Sequence, residues 1–106
     1  MISDERAEAA VEYMRDNAKR HGQLKGAIGF HEYETKRAKA AAFLELDGTV
    51  AEREHRATLD PAVYAAHEKL RDATAEELEL RDLLEAARLT FEKWRTEQSN
   101  ARARMP

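Results

Sequence analysis

The residues of this sequence that are best suited to bind a ligand lie in its last segment. The only tryptophan lies within neighbouring helical turns of two arginines, a glutamine and a serine, and these residues are Trp94, Arg95, Gln98, Ser99 and Arg102. Side chains three and four residues apart are neighbours on a helix, so the spacing predicts one strip that carries an indole ring, a hydroxyl group and guanidinium groups. Such a strip is typical of a site for phosphate or for a single nucleic-acid strand. Alternatively, Phe91 and Trp94 complete a helical core and the arginines are solvated.

Basic side chains form a second group earlier in the chain. Residues 17–43 carry six basic and two acidic side chains, a net charge of +4, whereas the whole chain has a net charge of -3. Residues 93–106 form another basic segment, with a net charge of +3. Since single strands are bound through phosphates and by base stacking, these segments predict a nucleic-acid interface. Its predicted residues are Lys36, Arg37, Lys39, Arg53, Arg56, Lys93, Trp94, Arg95, Arg102 and Arg104.

No sequence pattern indicates catalysis. None of the four histidines belongs to an HExxH pair, and there is no cysteine to complete a conventional zinc site. The sequence has neither a GxSxG elbow nor a glycine-rich phosphate loop. We therefore predict a protein that is not an enzyme, with no cofactor, no metal and no catalytic residue.

Composition favours a single all-α domain over residues 1–106. Charged residues make up 37% of the chain, and the strong helix formers are abundant whereas Gly and Pro are scarce. A chain of this length buries only a modest core, so we expect a long helical hairpin that assembles into an oligomeric helical bundle or ring. No segment approaches the roughly 20 apolar residues of a membrane span, and the lack of cysteine fits a reducing cytoplasm.

The first predicted helix is long. Ser3 is suited to cap a helix over about residues 4–46, which Gly48 and its preceding aspartate end. Gly22, Gly26 and Gly29 each weaken a helix, and Gly22 could end a first, shorter one. We predict that the helix continues through them.

Two further helices follow from capping signals. Thr49 and Glu52 form a capping box, which predicts a short connector helix over about residues 50–58. Asp60-Pro61 is an N-cap followed by proline at the first helical position, so a last helix is predicted over about residues 61–102.

Both long helices carry an inward-facing pattern with spacings of three and four. In the last helix its members are Val63, His67, Leu70, Ala73, Glu77, Leu80, Leu84, Ala87, Phe91, Trp94, Gln98 and Ala101. In the first helix they are Met14, Asn17, His21, Leu24, Ile28, His31, Thr35, Ala38 and Ala42.

Several short motifs resemble a known group of proteins. They are Ala38-Lys39-Ala40 continuing to Leu46, Asp47-Gly48-Thr49-Val50-Ala51-Glu52-Arg53-Glu54, Ala57, Asp60-Pro61 with Tyr64, and Phe91-Glu92-Lys93-Trp94-Arg95-Thr96 with Ser99 and Arg102. Together, over roughly residues 10–105, they are similar to small helical proteins of tailed phages, which in turn resemble the UvsY-type recombination mediators.

The resemblance implies a ring-forming helical protein that binds single-stranded DNA, displaces single-strand binding protein and helps to load a RecA-like recombinase. The implied location is the host cell cytoplasm. Carried over to this chain, it implies DNA contacts by Lys36, Lys39 and Arg53 around the Gly48 turn and by Trp94, Arg95 and Arg102.

Two other functions fit the sequence. The first is a structural or adaptor coiled-coil protein whose partner is another protein. The second is an acidic inhibitor that mimics DNA through the acids of residues 68–85 and binds a basic enzyme.

Overall fold

The computed structural model describes residues 1–105, which are all-helical and contain no strand. Helix α1 spans Asp4–Glu45, α2 spans Val50–Thr58 and α3 spans Pro61–Ala103. The all-α prediction is confirmed, and α1 continues through its glycines as predicted. The chain forms two compact units, the first from Met1–Gly22 with the part of α3 that begins at Leu78, and the second from Gln23–Glu77.

The predicted capping residues start all three helices. The hydroxyl of Ser3 accepts a hydrogen bond from the backbone N–H of Arg6 (3.2 Å). Thr49 and Glu52 form the reciprocal capping box of α2, with distances of 3.2 and 3.3 Å. The carboxylate of Asp60 accepts from the backbone N–H of Ala62 (2.8 Å) at the start of α3. Each cap satisfies an amide that the helix itself leaves without an acceptor.

The turn between α1 and α2 depends on Gly48. Its φ of +119° is a backbone conformation that side chains with a Cβ rarely adopt. A Cβ at this position would lie 2.6 Å from Oε2 of Glu52. That oxygen is the acceptor for the Thr49 N–H, so Gly48 makes room for the capping box.

Alanines make up five of the nine buried apolar residues within residues 1–105. The buried apolar residues of the first unit are Ile2, Ala7, Ala10 and Leu80, and those of the second are Leu24, Ala42, Ala57, Val63 and Ala73. Eleven large apolar side chains are exposed: Met1, Phe30, Tyr33, Leu44, Val50, Leu59, Tyr64, Leu78, Leu83, Leu89 and Met105. The folded chain therefore leaves much apolar surface in contact with solvent.

The predicted inward pattern is confirmed for all members in α1, which are buried or half-buried. In α3 it is wrong at two positions, because His67 and Ala101 are exposed. The half-buried Ala66 lies three residues after Val63 and four before Leu70, so the inward face passes through Ala66 instead of His67.

Replacing Gly48 with alanine is expected to lower the free energy of unfolding by about 1–3 kcal/mol, because the substitution combines an unfavourable φ with the loss of the capping box. The matched control is Gly29→Ala, since a Cβ on Gly29 would meet nothing within 4 Å. This control should raise the free energy of unfolding by about 1 kcal/mol. Urea unfolding at one protein concentration, followed by circular dichroism, measures both. Equal effects of the two substitutions would contradict this role of Gly48.

Candidate nucleic-acid interface

Arg53 closes the C-terminal end of α1. Its Nε and Nη2 donate to the backbone carbonyl of Phe43 at 3.3 and 2.9 Å, and its guanidinium carbon lies 4.1 Å from the centre of the Phe43 ring. The last turn of α1 has no basic residue of its own. The Phe43 carbonyl also accepts from the backbone N–H of Leu46 at 3.3 Å. Arg53 therefore supplies, from α2, two further hydrogen-bond donors for a carbonyl near the end of α1 and a positive charge at the negative end of the helix dipole.

The other predicted cations of the second unit are more exposed. Arg56 reaches the backbone carbonyl of Asp47 through Nη1 at 3.5 Å, which is a weak hydrogen bond. Arg37 lies 3.7 Å from Glu34 on the same helix. Lys36 and Lys39 are exposed, and within residues 1–105 neither ammonium group has an ion-pair or hydrogen-bond partner.

Lys36 and Lys39 border an open groove of about 400 Å³, here called the basic groove. Its lining residues are Lys36, Lys39, Ala40, Phe43, Leu44 and Glu54. The structure thus brings two free cations next to an aromatic ring and a leucine. The groove is not lined by Arg37, Arg53 or Arg56. The guanidinium group of Arg53 nevertheless contacts the Phe43 ring, which does line it.

Trp94 joins α3 to the start of the chain. Its indole N–H donates to Oδ1 of Asp4 (2.8 Å), and its ring stacks on Phe91 with 5.8 Å between ring centres. Close by in sequence, Glu97 accepts a hydrogen bond from the backbone N–H of Ile2 (2.8 Å), whose side chain is buried. Trp94 is half-buried and belongs to the packing of the first unit.

Arg95 and Arg102 lie on a different face of α3. They border an open groove of about 470 Å³, here called the C-terminal strip, which is lined by Arg95, Thr96, Ser99, Asn100 and Arg102. Arg95, Ser99 and Arg102 thus border one groove, whereas Trp94 does not line it and lies in the helical packing that was the alternative for this residue. One residue along a helix is a rotation of about 100°, which turns Trp94 towards α1 and Arg95 away from it.

The basic residues of this last segment differ in their partners. Arg95 makes an exposed pair with Glu92 on its own helix (3.4 Å). Lys93, Arg102 and Arg104 are exposed, and their side chains have no partner in the part of the chain that the structure describes. Lys93, Arg102 and Arg104 are therefore accessible to an anion from solution.

Sequence reasoning missed three contributions to these surfaces. Phe43 and Glu54 line the basic groove, and Asp4 fixes Trp94 from 90 residues away. The sequence holds a signal for Phe43 alone, because it is an aromatic residue one helical turn from Lys39.

Among residues 1–105, no three His, Cys, Asp or Glu side chains are placed to hold a metal ion. The described helices include none that is both long and apolar enough to cross a membrane.

Comparisons of this chain with protein families, with curated proteins and with solved structures find no match.

Arg53→Ala is expected to lower the free energy of unfolding by about 1–3 kcal/mol, since it removes the two guanidinium hydrogen bonds to the Phe43 carbonyl and the contact with the ring. Arg56→Ala is the matched control from the same helix and should change it by less than about 0.5 kcal/mol. Arg53→Lys should be intermediate, because lysine keeps the charge and loses the paired donors. Urea unfolding measures all three. A loss for Arg56→Ala as large as that for Arg53→Ala would show that general charge, not the contact with Phe43, stabilises the turn.

A double-mutant cycle tests the link between Asp4 and Trp94. Trp94→Phe keeps an aromatic ring and removes the N–H donor, and Asp4→Ala removes the acceptor. The free energies of unfolding of the two single variants and the double variant should give a coupling of about 1 kcal/mol. Strict additivity would mean that the hydrogen bond contributes nothing.

Proposed function

We propose that this protein is a non-enzymatic accessory protein of DNA recombination that self-associates, binds single-stranded DNA and assists the loading of a recombinase. The proposal combines two kinds of support. The described surface offers free cations beside an aromatic ring, and the sequence motifs resemble those of phage recombination mediators.

The observation that carries the DNA-binding part is the position of Lys36 and Lys39 in the basic groove. Both ammonium groups lack a partner within the described chain and lie beside Phe43 and Leu44. Proteins that bind single strands without sequence preference use this combination, in which cations contact phosphates and a ring or apolar surface contacts bases.

The chemistry of the groove also favours binding that is independent of sequence. Its only polar side chains are two lysines and one glutamate, and it has no Asn, Gln, Ser or Arg, so most of the side chain types that read base edges are missing from its lining. Glu54 is its only acid, and this carboxylate repels phosphate. We infer that a single groove binds a DNA strand weakly, and that replacing Glu54 alone would change the net charge of the groove.

Self-association would overcome this weakness. Each exposed lysine contributes little at physiological salt, but several copies on one strand act together. The exposed apolar side chains support self-association, because surfaces of this kind are usually covered by a partner.

The recombination part of the proposal depends on the resemblance of the motifs around Gly48 and Trp94. A mediator of this type exchanges places with single-strand binding protein so that a RecA-like recombinase can occupy the strand. Strand-exchange activity of a RecA-type recombinase, measured on a strand precoated with single-strand binding protein, tests this part directly.

A second candidate is an adaptor that binds another protein through its helices, and the same exposed apolar side chains favour it. This candidate predicts no binding to oligonucleotides at any salt concentration.

Lys36→Ala combined with Lys39→Ala is expected to weaken binding to a fluorescent single-stranded oligonucleotide about tenfold near 50 mM salt, and to reduce the slope of log K against log salt by about 1.4 for two phosphate contacts. Glu54→Gln should strengthen binding, because it removes the one negative charge of the groove. Fluorescence anisotropy over a salt series measures both effects, with duplex DNA as a comparison.

The matched control replaces Lys19 and Lys25 with alanine, which are two exposed lysines of α1 outside the basic groove. It removes the same charge and should weaken binding much less. Equal losses for the two lysine pairs would indicate attraction to overall charge, and the absence of binding by the unaltered protein near 50 mM salt would refute the DNA-binding proposal.

A further inference from the structure

Helix α1 has an outer face that the described chain does not cover. Its members in the second unit are Phe30, Tyr33, Arg37, Ala40 and Leu44, at spacings of three and four residues, and all are exposed. The fractional exposures of Phe30, Tyr33 and Leu44 are 59%, 61% and 76%. This outer α1 face has the pattern of a helix that packs against another helix, with one arginine among apolar residues.

Helix α3 has an outer face with the opposite charge. In the first unit, Leu78 and Leu89 are 40% and 53% exposed, and Asp82 and Glu85 lie between them at spacings of four, three and four residues. These four residues make up the outer α3 face. It has apolar ends and an acidic centre.

The two faces match in spacing. Tyr33 and Leu44 are 11 residues apart, as are Leu78 and Leu89, which corresponds to about 16 Å along a helix. Arg37 follows Tyr33 by four residues, and Glu85 precedes Leu89 by four. When the helices run antiparallel with Tyr33 beside Leu89, Arg37 therefore lies beside Glu85 and Leu44 beside Leu78.

The two faces also match in charge. Arg37 is the charged member of the outer α1 face, whereas Asp82 and Glu85 are the charged members of the outer α3 face. Pairing either face with itself would place like charges in the centre of the contact, which is unfavourable. Complementary charge on two faces of one chain points to a second copy of that chain as the partner.

We propose that the outer α1 face of one copy of this protein docks onto the outer α3 face of a second copy. The inference rests on the proposed function, because it names the contact that repeats the basic groove along a DNA strand. Such a contact joins two different surfaces, so every added copy presents another free face, and assembly continues until the chain of copies closes.

The charged centres of the two faces are available for this contact. Arg37 is 69% exposed in its pair with Glu34, and Glu85 is 52% exposed in its pair with Arg88 (2.6 Å). Exposed pairs of this kind contribute little to stability and can exchange partners. The hydrogen bond from Arg88 also lowers the pKa of Glu85, so this carboxylate keeps its negative charge when the pH falls below neutral.

Docking would also shape the basic groove. Ala40 and Leu44 belong both to the groove and to the outer α1 face. A docked copy would therefore stand beside Lys36 and Lys39 and place its own α3 along that edge.

The experiment uses two variants, each with one disrupted face. Tyr33→Asp disrupts the outer α1 face, and Leu89→Asp disrupts the outer α3 face. Both side chains are exposed, so circular dichroism and urea unfolding should show that each variant is folded. Mass is measured by light scattering or analytical ultracentrifugation in the absence of DNA. The unaltered protein should form a concentration-dependent oligomer, and each variant alone should be a monomer.

An equimolar mixture of the two variants is the decisive sample. The intact α1 face of the Leu89→Asp chain can dock onto the intact α3 face of the Tyr33→Asp chain, and the remaining two faces repel each other. The mixture should therefore form one-to-one dimers and nothing larger. A mixture that stays monomeric, or either variant assembling like the unaltered protein, would overturn the proposal.

Charge reversal tests the register. Arg37→Glu should abolish assembly, Asp82→Arg with Glu85→Arg should abolish it as well, and the chain carrying all three substitutions should recover it. Failure of the triple variant to recover would refute the pairing of the charged centres.

Oligonucleotide binding, measured on the same samples, separates this inference from the proposed function. Assembly as described without DNA binding would refute the function and leave the interface intact. DNA binding by an unaltered protein that remains monomeric would refute the interface and the self-association part of the proposed function, and it would leave the DNA-binding part intact.

Discussion

Alanine limits how much apolar surface this molecule buries, because five of the nine buried apolar residues in the described chain are alanines. Ala7, Ala10, Ala42, Ala57 and Ala73 are buried, and Val63 is the largest side chain within the described residues that is fully enclosed. Small residues let helices approach closely, but each buries little apolar area. Leu24 and Leu80 are buried, but eleven large apolar side chains of the described chain are exposed, so helix faces remain available to a partner.

Arg53 and Trp94 show how a short chain uses chemically versatile residues for its own stability. Each has the chemistry of a nucleic-acid contact, yet one holds the end of α1 and the other holds the start of α1 against α3. Lysines 36 and 39 have no ion pair or hydrogen bond in the described chain, although Glu54 lines the same groove. The position of a cation alone therefore does not identify a ligand-binding surface. The cation must also lack a partner within the chain.

The helices were predictable from the sequence because capping is local. Ser3, Thr49 and Asp60 act on amides within three residues, and the inward pattern follows from helical spacing. The site was predictable only in part. Whether Arg53 faces Phe43 depends on the backbone of the Gly48 turn, and the partner of Trp94 lies 90 residues away, so neither follows from spacing along one helix. The rotation of about 100° per residue also places the neighbouring residues Trp94 and Arg95 on different faces of α3.

The contact between Arg53 and Phe43 has a consequence for entropy. The guanidinium group lies against the Phe43 ring, and this ring also lines the basic groove. A molecule that enters the groove therefore meets a ring whose rotamer is already selected, and little side-chain freedom is left to lose when it binds. Arg53 in this way preorganises a surface that it does not itself line.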